Sequence, residues 1–135
     1  MVASPVYYAS ANATLVACLT RLFYSSHFDK SMKVGASVVC ARRGGCSATF
    51  DELNKFFTIA GMPVASSQYW NSIHGRAPGE AEQDEEGRQT MRTLAALCHR
   101  TAQGQYAAAQ QAAVLAPKLG LCGGLLAAIL LWPAG

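Results

Sequence analysis

Apolar strands that alternate with amphipathic helices constrain the fold of this chain more than any other feature. The segment KVGASVVC (33–40) is apolar and rich in β-branched residues, a pattern typical of a strand buried on both faces of a sheet. Residues 1–4 and MPVASSQ (62–68) have the character of two further short strands. Because helices connect these segments, the alternation predicts an α/β protein with a parallel sheet and right-handed crossovers.

Two of the predicted helices carry an apolar stripe and signals for their ends. In NATLVACLTRLFYSS (12–26), Asn12 is the predicted N-cap, and the stripe comprises Leu15, Cys18, Leu19, Leu22 and Phe23. In SATFDELNKFFTIAG (47–61), Thr49 and Glu52 have the spacing of a capping box and Gly61 is the predicted C-cap. Its apolar stripe comprises Phe50, Leu53 and Phe57.

The third predicted helix begins in the acidic stretch EAEQDEE (80–86) and ends at about Arg100. Its predicted inward face comprises Gly87, Met91, Leu94, Ala95 and Cys98. Every Asp and Glu lies between Asp29 and Glu86, and Lys118 is the one charged side chain after Arg100. This shift in composition predicts a boundary, with a main domain over 1–100 and an Ala/Leu-rich tail over 101–135.

The composition excludes several classes of protein. A hydrophobic content of 51% supports a buried core, and the net charge of +3 comes without a basic run, which argues against nucleic-acid binding. The five cysteines are scattered without a CxxC pair, which favours reduced thiols in a cytoplasmic protein and no metal site. In the tail, LGLCGGLLAAILLW (119–132) is shorter than the roughly 20 residues of a membrane-spanning helix. A helical or poorly ordered tail is therefore favoured over a membrane contact.

The three loops after the predicted strands are 5–11, 41–46 and 68–79. The carboxyl ends of parallel strands meet at one edge of a sheet, where α/β proteins bind ligands. These loops contain most of the unusual residues of the chain, including tyrosines, a Trp, an Arg pair and a Gly pair. Their convergence predicts a site for a flat, aromatic, partly polar ligand.

The stretch SPVYYASANATLVACLTRLFY (4–24) resembles the loop after the third strand of flavodoxin-like NAD(P)H-dependent FMN reductases, which carry a Ser-Pro-Val-Tyr turn before a helix. The similarity continues through VVCARRGGCSATFDELNKFF (38–57) and GMPVASSQYWNSIHG (61–75). With the acidic start of the last helix, it covers about the first two thirds of the chain. Thr20 departs from the pattern, in which an Asp precedes the Arg.

The resemblance implies a flavodoxin-like three-layer α/β/α fold whose parallel sheet has the strand order 2-1-3-4-5. It also implies FMN at the carboxyl edge and electron transfer from NAD(P)H to an acceptor such as a flavin or quinone, in a homodimer or higher homo-oligomer. The residues implied to bind the cofactor are Ser4, Pro5, Val6, Tyr7, Tyr8, Ser10, Asn12, Arg42, Arg43, Gly44, Gly45, Tyr69, Trp70, Asn71 and His74.

Structural alternatives accompany each of these assignments. The Ser4–Tyr8 segment suits a strand-ending turn as well as a ligand contact, and the Arg pair suits a solvated basic loop. Tyr69 and Trp70 suit loop packing or a dimer contact, and His74 suits a hydrogen bond that orders its loop. Cys40 and Cys46 fit packing better than redox chemistry.

Against the family pattern, the first two strands and the phosphate-binding loop after the first strand are missing here. The expectation is an N-terminally truncated flavodoxin-like domain. The alternative function is a non-catalytic fragment that binds flavin weakly or only associates with another chain.

Overall fold

The computed structural model describes residues 1–31 and 33–115, with side chains described as far as residue 104. In chain order the elements are β1 (Val2–Pro5), α1 (Ala13–Ser25), β2 (Ser37–Ala41), α2 (Cys46–Ile59), β3 (Ser72–His74), a 3-10 turn (Glu80–Gln83) and α3 (Glu85–Leu115). The three strands form one sheet in the order β1-β2-β3, and both pairings are parallel. The predicted α/β architecture with a parallel sheet is confirmed.

Two apolar clusters lie on opposite faces of the sheet. On one face Val39 of β2 packs with Leu19 of α1 and Leu53 of α2, all of them buried. On the other face Ala36, the residue before β2, packs with Leu94 of α3. Successive side chains along a strand point to opposite faces of the sheet, so β2 contributes to both clusters. The fold therefore has three layers, with α1 and α2 on one side of the sheet and α3 on the other.

Helix α1 begins where the sequence predicts it. The Asn12 side-chain oxygen accepts hydrogen bonds from the backbone N–H groups of Thr14 (3.0 Å) and Leu15 (3.3 Å), which is the geometry of an N-cap. The predicted apolar stripe is only partly buried, because Cys18 and Leu22 are exposed.

Helix α2 confirms the predicted stripe and C-terminus but not the predicted N-terminus. Gly61 has φ +68°, and its N–H bonds to the carbonyl of Thr58, as in a glycine-terminated helix. The capping box of Thr49 and Glu52 is wrong, because the helix already begins at Cys46 with Gly45 as its N-cap. Thr49 is instead fully buried inside the helix.

The third strand lies later in the chain than the sequence predicts. Of the predicted strand 62–68, only Val64 pairs with the sheet, through an isolated bridge to Gly35. The chain then leaves the sheet and returns as β3, where Ser72 pairs with Val39 and His74 with Ala41. The predicted loop 68–79 therefore contains the strand itself, and the loop that leaves β3 at the carboxyl edge begins at Gly75.

Helix α3 confirms most of the predicted inward face, because Gly87 and Leu94 are buried and Cys98 packs against the second apolar cluster, but Ala95 is exposed. Its predicted end near Arg100 is wrong, since the helix continues without a break to Leu115. Within the residues that the structure describes, no helix is long and apolar enough to cross a membrane. The predicted apolar segment 119–132 lies outside the described residues.

Candidate functional site at the carboxyl edge of the sheet

Three segments lie beyond the ends of the strands: the β1 turn (residues 6–12), the β2 loop (residues 42–45) and the β3 loop (residues 75–84). The parallel register sets Pro5 beside Cys40 and Ala41 beside His74, so the three segments begin at the same edge of the sheet. The β1 turn and the β2 loop touch directly, because a Cβ added at Gly45 would lie 2.9 Å from Val6 Cγ1. The predicted convergence is confirmed for the segments after β1 and β2 and for His74 at the end of β3, whereas Tyr69, Trp70 and Asn71 of the predicted third loop precede that strand.

The β1 turn is a tight hairpin with unusual backbone conformations. Tyr7 and Ser10 exchange two backbone hydrogen bonds, of 2.9 and 3.0 Å, across Tyr8 and Ala9. These two central residues have φ +52° and +59°, the left-handed conformation that glycine adopts more readily than any other residue. The turn leaves the side chain of Tyr8 fully exposed and that of Tyr7 half-exposed.

The polar side chains of the β1 turn are already hydrogen-bonded within the protein. The buried Ser4 hydroxyl donates to the carbonyl of Pro5 (2.8 Å) and accepts from the N–H of Asn12 (2.9 Å). Ser10 Oγ lies 3.1 and 2.9 Å from the two carboxylate oxygens of Glu52, to which it donates. Asn12 is the cap of α1. Ser4, Ser10 and Asn12 therefore shape the turn, and Tyr7 and Tyr8 carry its exposed surface.

Glu52 ties the β1 turn to helix α2. In addition to Ser10, the backbone N–H of Ala11 donates to Glu52 Oε2 at 2.8 Å. One carboxylate thus satisfies two donors of a segment more than 40 residues away in sequence, as the separations of 41 and 42 residues show. The sequence suggested only a local capping role for this residue, so its function as a clamp was missed.

The β2 loop presents charge and free backbone donors. Arg42, Arg43 and Gly44 are exposed, and a Cβ at Gly44 would have no neighbour within 4 Å. Gly45 has φ +94° and caps α2 without a side-chain hydrogen bond from any described residue. The first N–H groups of a helix attract anions, and the two arginines add to this preference.

The end of strand β3 places His74 against helix α2. Cys46 Sγ, at the first position of α2, lies 3.8 Å from His74 Nε2. On the other side of the ring, His74 Nδ1 lies 3.6 Å from Asp84 Oδ2, which also accepts the backbone N–H of His74 at 2.7 Å. Three groups from three elements thus form a continuous row of thiol, imidazole and carboxylate.

The ionisation of two of these groups is shifted by their surroundings. Burial raises the pKa of the Cys46 thiol, and the nearby Cys40 raises it further. Hydrogen bonds from the backbone N–H groups of Gly87 and His74 hold the pKa of Asp84 below its usual range. At neutral pH the row therefore has a protonated thiol at one end and a carboxylate at the other.

Tyr69, Trp70 and Asn71 lie before β3, whereas the site is at its far end. They belong to the excursion (residues 66–71) between the Val64 bridge and Ser72. The rings of Tyr69 and Trp70 pack at a centroid distance of 5.1 Å, and both are more than half exposed. Asn71 is fully buried, and both its amide atoms are without a hydrogen-bond partner among the described residues. The expectation that these three residues come after the third strand is wrong.

A separate cavity of about 450 Å³ lies near the carboxyl-terminal ends of α1 and α2. Its lining includes Phe23, Phe28 and Phe56, and Lys30 Nζ lies 4.4 Å from the centroid of the Phe28 ring. None of the residues predicted from the sequence to bind a ligand lines this cavity. No group of three or more His, Cys, Asp or Glu side chains within the described part of the chain could hold a metal ion.

One comparison with known proteins gives a relative. The chain is 31% identical over 99 residues to an iron–sulfur flavoprotein of Methanocaldococcus jannaschii. The matched region is 67% of this chain and 51% of the relative, so the chain spans about half the length of the protein it matches. The chain is thus a distant homologue of a flavoprotein, and with the parallel sheet this supports a flavodoxin-like α/β fold.

No family model matches the chain, and neither does any solved structure. The described site also contains residues that sequence reasoning missed. Asp84 was counted among the acids that open the last helix, although it stands three residues before Gly87, whose N–H it accepts at 2.9 Å. Asp is a preferred N-cap residue and Glu is not, and this preference could have separated Asp84 from the glutamates beside it.

Proposed function

We propose that this chain forms part of an FMN-dependent oxidoreductase that takes electrons from NAD(P)H and passes them to an acceptor such as a flavin or quinone. The observation that carries the proposal is the meeting of the β1 turn and the β2 loop at the carboxyl edge of a parallel sheet, in a chain similar to an iron–sulfur flavoprotein. Ligands of open parallel sheets bind at this edge.

The described residues suit a flat ring bound at this edge. Tyr7 and Tyr8 present exposed aromatic rings on one side. On the other, Gly44 leaves the backbone of the β2 loop open to close approach, because no atom lies within 4 Å of its Cβ position. Arg42 and Arg43, together with the first N–H groups of α2, suit the negatively charged part of a flavin or nicotinamide nucleotide.

In this proposal the hydride chemistry is supplied by FMN when it is bound. The chain contributes position and electrostatics. The β1 turn, which the Glu52 clamp fixes, would set the plane of the ring, and the β2 loop would border it through backbone donors and positive charge.

Flavin titration tests the proposal. We expect FMN fluorescence to be quenched on addition of the protein and the flavin to stay with the protein through gel filtration. A variant with Arg42→Ala and Arg43→Ala should bind FMN roughly tenfold more weakly, in line with the loss of charge-assisted contacts. Arg21→Ala, on the exposed surface of α1, is the matched control and should bind as the unmodified chain does.

Two results would contradict the proposal. One is a protein that folds but neither quenches nor retains FMN. The other is quenching that is identical in the double-arginine variant and the control. If FMN binds, reduction of the bound flavin by NADH or NADPH, followed by its visible absorption band, tests the electron donor.

Association with another chain is a second candidate, favoured by the outer strand of the sheet. Within the described residues β1 pairs with β2 alone, and its Ala3 and Pro5 side chains are exposed on one face. Sheet edges of this kind pair readily with other strands. A homodimer would bury this surface and could bring Tyr69 and Trp70 of one copy to the site of another. Light scattering after gel filtration tests this association, and a protein that stays monomeric at all concentrations would contradict it.

A further inference from the structure

The row formed by Cys46, His74 and Asp84 has the parts of an activated nucleophile. The thiol lies 3.8 Å from Nε2 of the imidazole, and the carboxylate lies 3.6 Å from Nδ1. The three residues come from the start of α2, the end of β3 and the residue before α3, so the tertiary structure alone assembles them. A nucleophile beside a base that a third group orients is the arrangement found in many covalent catalysts.

The two neighbours of His74 set its role. A carboxylate beside Nδ1 favours the tautomer with the proton on that nitrogen, which leaves the lone pair of Nε2 directed to the thiol. Asp84 is itself fixed, because its two oxygens accept backbone N–H groups of His74 (2.7 Å) and Gly87 (2.9 Å). His74 can therefore accept the proton of Cys46, and Asp84 acts as a positioning residue.

The surroundings favour a negatively charged partner. The loop that leads into Cys46 carries Arg42 and Arg43, and α2 begins with N–H groups that no described side chain caps. Besides the arginines, the titratable groups near the row are Cys40 and Glu80, and Glu80 already accepts the N–H groups of Arg76 and Ala77. Among the described residues neither arginine forms a salt bridge, so both present positive charge beside Cys46, with the Glu80 carboxylate near Arg42.

We propose that Cys46 is a nucleophilic thiol, with His74 as its base, that forms mixed disulfides with small anionic disulfides. Nε2 of His74 takes the Cys46 proton as Sγ attacks one sulfur of the disulfide. A new bond joins Cys46 Sγ to that sulfur, and the bond within the disulfide breaks. The leaving thiolate carries the electron pair, and the imidazolium gives its proton to that thiolate or, where the leaving group is a weakly basic aromatic thiolate, to water. No other oxidant or reductant takes part.

The environment of Cys46 differs from that of Cys18, which makes Cys18 an internal standard. Cys18 lies on the exposed face of α1, and its thiol is free. Cys46 is partly buried, and burial raises its pKa, so by itself it would react more slowly than an exposed thiol. Faster reaction at Cys46 than at Cys18 would therefore indicate assistance by the neighbouring base.

The experiment uses 5,5′-dithiobis(2-nitrobenzoate), an anionic aromatic disulfide whose leaving thiolate is coloured. The flavin-free protein is mixed with the reagent, and peptide mass spectrometry assigns each phase to a cysteine. At neutral pH we expect Cys46 to react about tenfold or more faster than Cys18, within the range of general-base assistance. Cys46→Ser should remove the fast phase, whereas Cys18→Ser should keep it.

A pH profile separates a base from a merely structural histidine. In the unmodified protein the fast phase should weaken in acid, and His74→Gln should slow the phase and alter its pH profile. A second variant, His74→Ala, should regain rate when free imidazole is added. A neutral aromatic disulfide should react more slowly than the anionic one, and added salt should narrow that difference.

The proposal is overturned if the fast phase survives in Cys46→Ser, or if His74→Gln keeps both its rate and its pH profile in a folded protein. Failure of the imidazole rescue in a folded His74→Ala protein would also count against it. Because these measurements need no flavin, their outcome is independent of FMN binding.

Discussion

The β1 turn and the start of α2 lie side by side at the same edge of the sheet, but they use their polar groups in opposite ways. In the β1 turn, Ser4, Ser10 and Asn12 all form hydrogen bonds within the protein. Glu52 of α2 accepts the hydrogen bond of Ser10 and so ties the turn to the helix. At the start of α2 the arginines, the first N–H groups and the Cys46 thiol face outward or toward His74. The first region provides rigidity, and the second holds the groups still available for chemistry.

Removal of the Glu52 carboxylate should have the largest effect, because it breaks the network of the β1 turn. Glu52→Ala leaves the Ser10 hydroxyl and the Ala11 N–H without their acceptor, and we expect the free energy of unfolding to fall by about 3 kcal/mol. Urea unfolding curves of the variant and the unmodified protein measure this loss in the free energy of unfolding. Asp51→Ala removes an exposed carboxylate next along the helix and should cost less than about 0.5 kcal/mol. Equal losses in the two variants would refute the clamp.

Gly45 is where the two regions touch, and its substitution should have the next largest effect. Gly45→Ala places a Cβ 2.9 Å from Val6 Cγ1 and 3.0 Å from Ala9 Cα at a residue with φ +94°. We expect a loss of about 2 kcal/mol in the free energy of unfolding, from the left-handed backbone and the contact together. Gly44→Ala, where nothing lies within 4 Å, should stay within about 0.5 kcal/mol. If the two variants unfold alike, the contact between the regions is not rigid.

Asp84 supports the second region, and its contribution should depend on pH. Its pKa is lowered in the folded protein by hydrogen bonds from Gly87 and His74. The stabilisation is therefore fully present above the unfolded pKa of about 3.9 and is lost as the pH falls through the lower, folded value. Asp84→Ala should cost about 1 kcal/mol at neutral pH, as for other N-caps.

Unfolding curves measured from neutral pH downward test this dependence on Asp84. The curves of Asp84→Ala and the unmodified protein should converge in acid, whereas Asp51→Ala should track the unmodified protein throughout. A gap that stays constant at every pH would show that Asp84 acts only through packing.

The smallest expected effect concerns the strained backbone of the β1 turn. Ala9 has φ +59°, which glycine adopts at little cost, so Ala9→Gly should raise the free energy of unfolding by about 0.5 kcal/mol. The same change in the middle of α1, Ala17→Gly, should lower it by about 1 kcal/mol. A destabilised Ala9→Gly protein would mean that the turn is not strained.

The sequence predicted those elements that are determined by local periodicity or by a single cap. Helix α1 with its Asn12 cap, the apolar stripe of α2 and, except for Ala95, the inward face of α3 were confirmed. The parallel sheet, with the ends of β1 and β2 at one edge, results from alternation along the chain, so it was predictable too, whereas a strand order was implied only by the family resemblance.

The misplaced third strand shows where periodicity stops being informative. MPVASSQ (62–68) is apolar enough for a strand, but only Val64 finds a partner, and the polar residues Ser72 and His74 pair instead. A strand of three residues has too few positions for an alternating pattern. The end of α3 at Leu115 was missed for a related reason, because a change in composition does not by itself stop a helix.

The contacts between residues distant in sequence that define the site could not be predicted. Glu52 meets the β1 turn across more than 40 residues, and Cys46 meets His74 across 28. Such pairs depend on how loops close over the sheet edge, which local sequence patterns do not encode. The assignment of Cys46 to packing is confirmed, because Cys46 packs against the first apolar cluster, and its contact with His74 is the part that the sequence did not predict.

The excursion between Val64 and Ser72 limits how the β3 edge of the sheet can pair with strands of other chains. A strand of another chain that paired with β3 would find only three successive residues in strand conformation, Ser72–His74. The excursion lies directly before these residues and keeps the strand from extending toward Val64. Because this edge of the sheet is short, it pairs poorly with strands of aggregating or domain-swapped chains. The opposite border, along Val2–Pro5, is continuous, so growth of the sheet by a further strand is directed to that side.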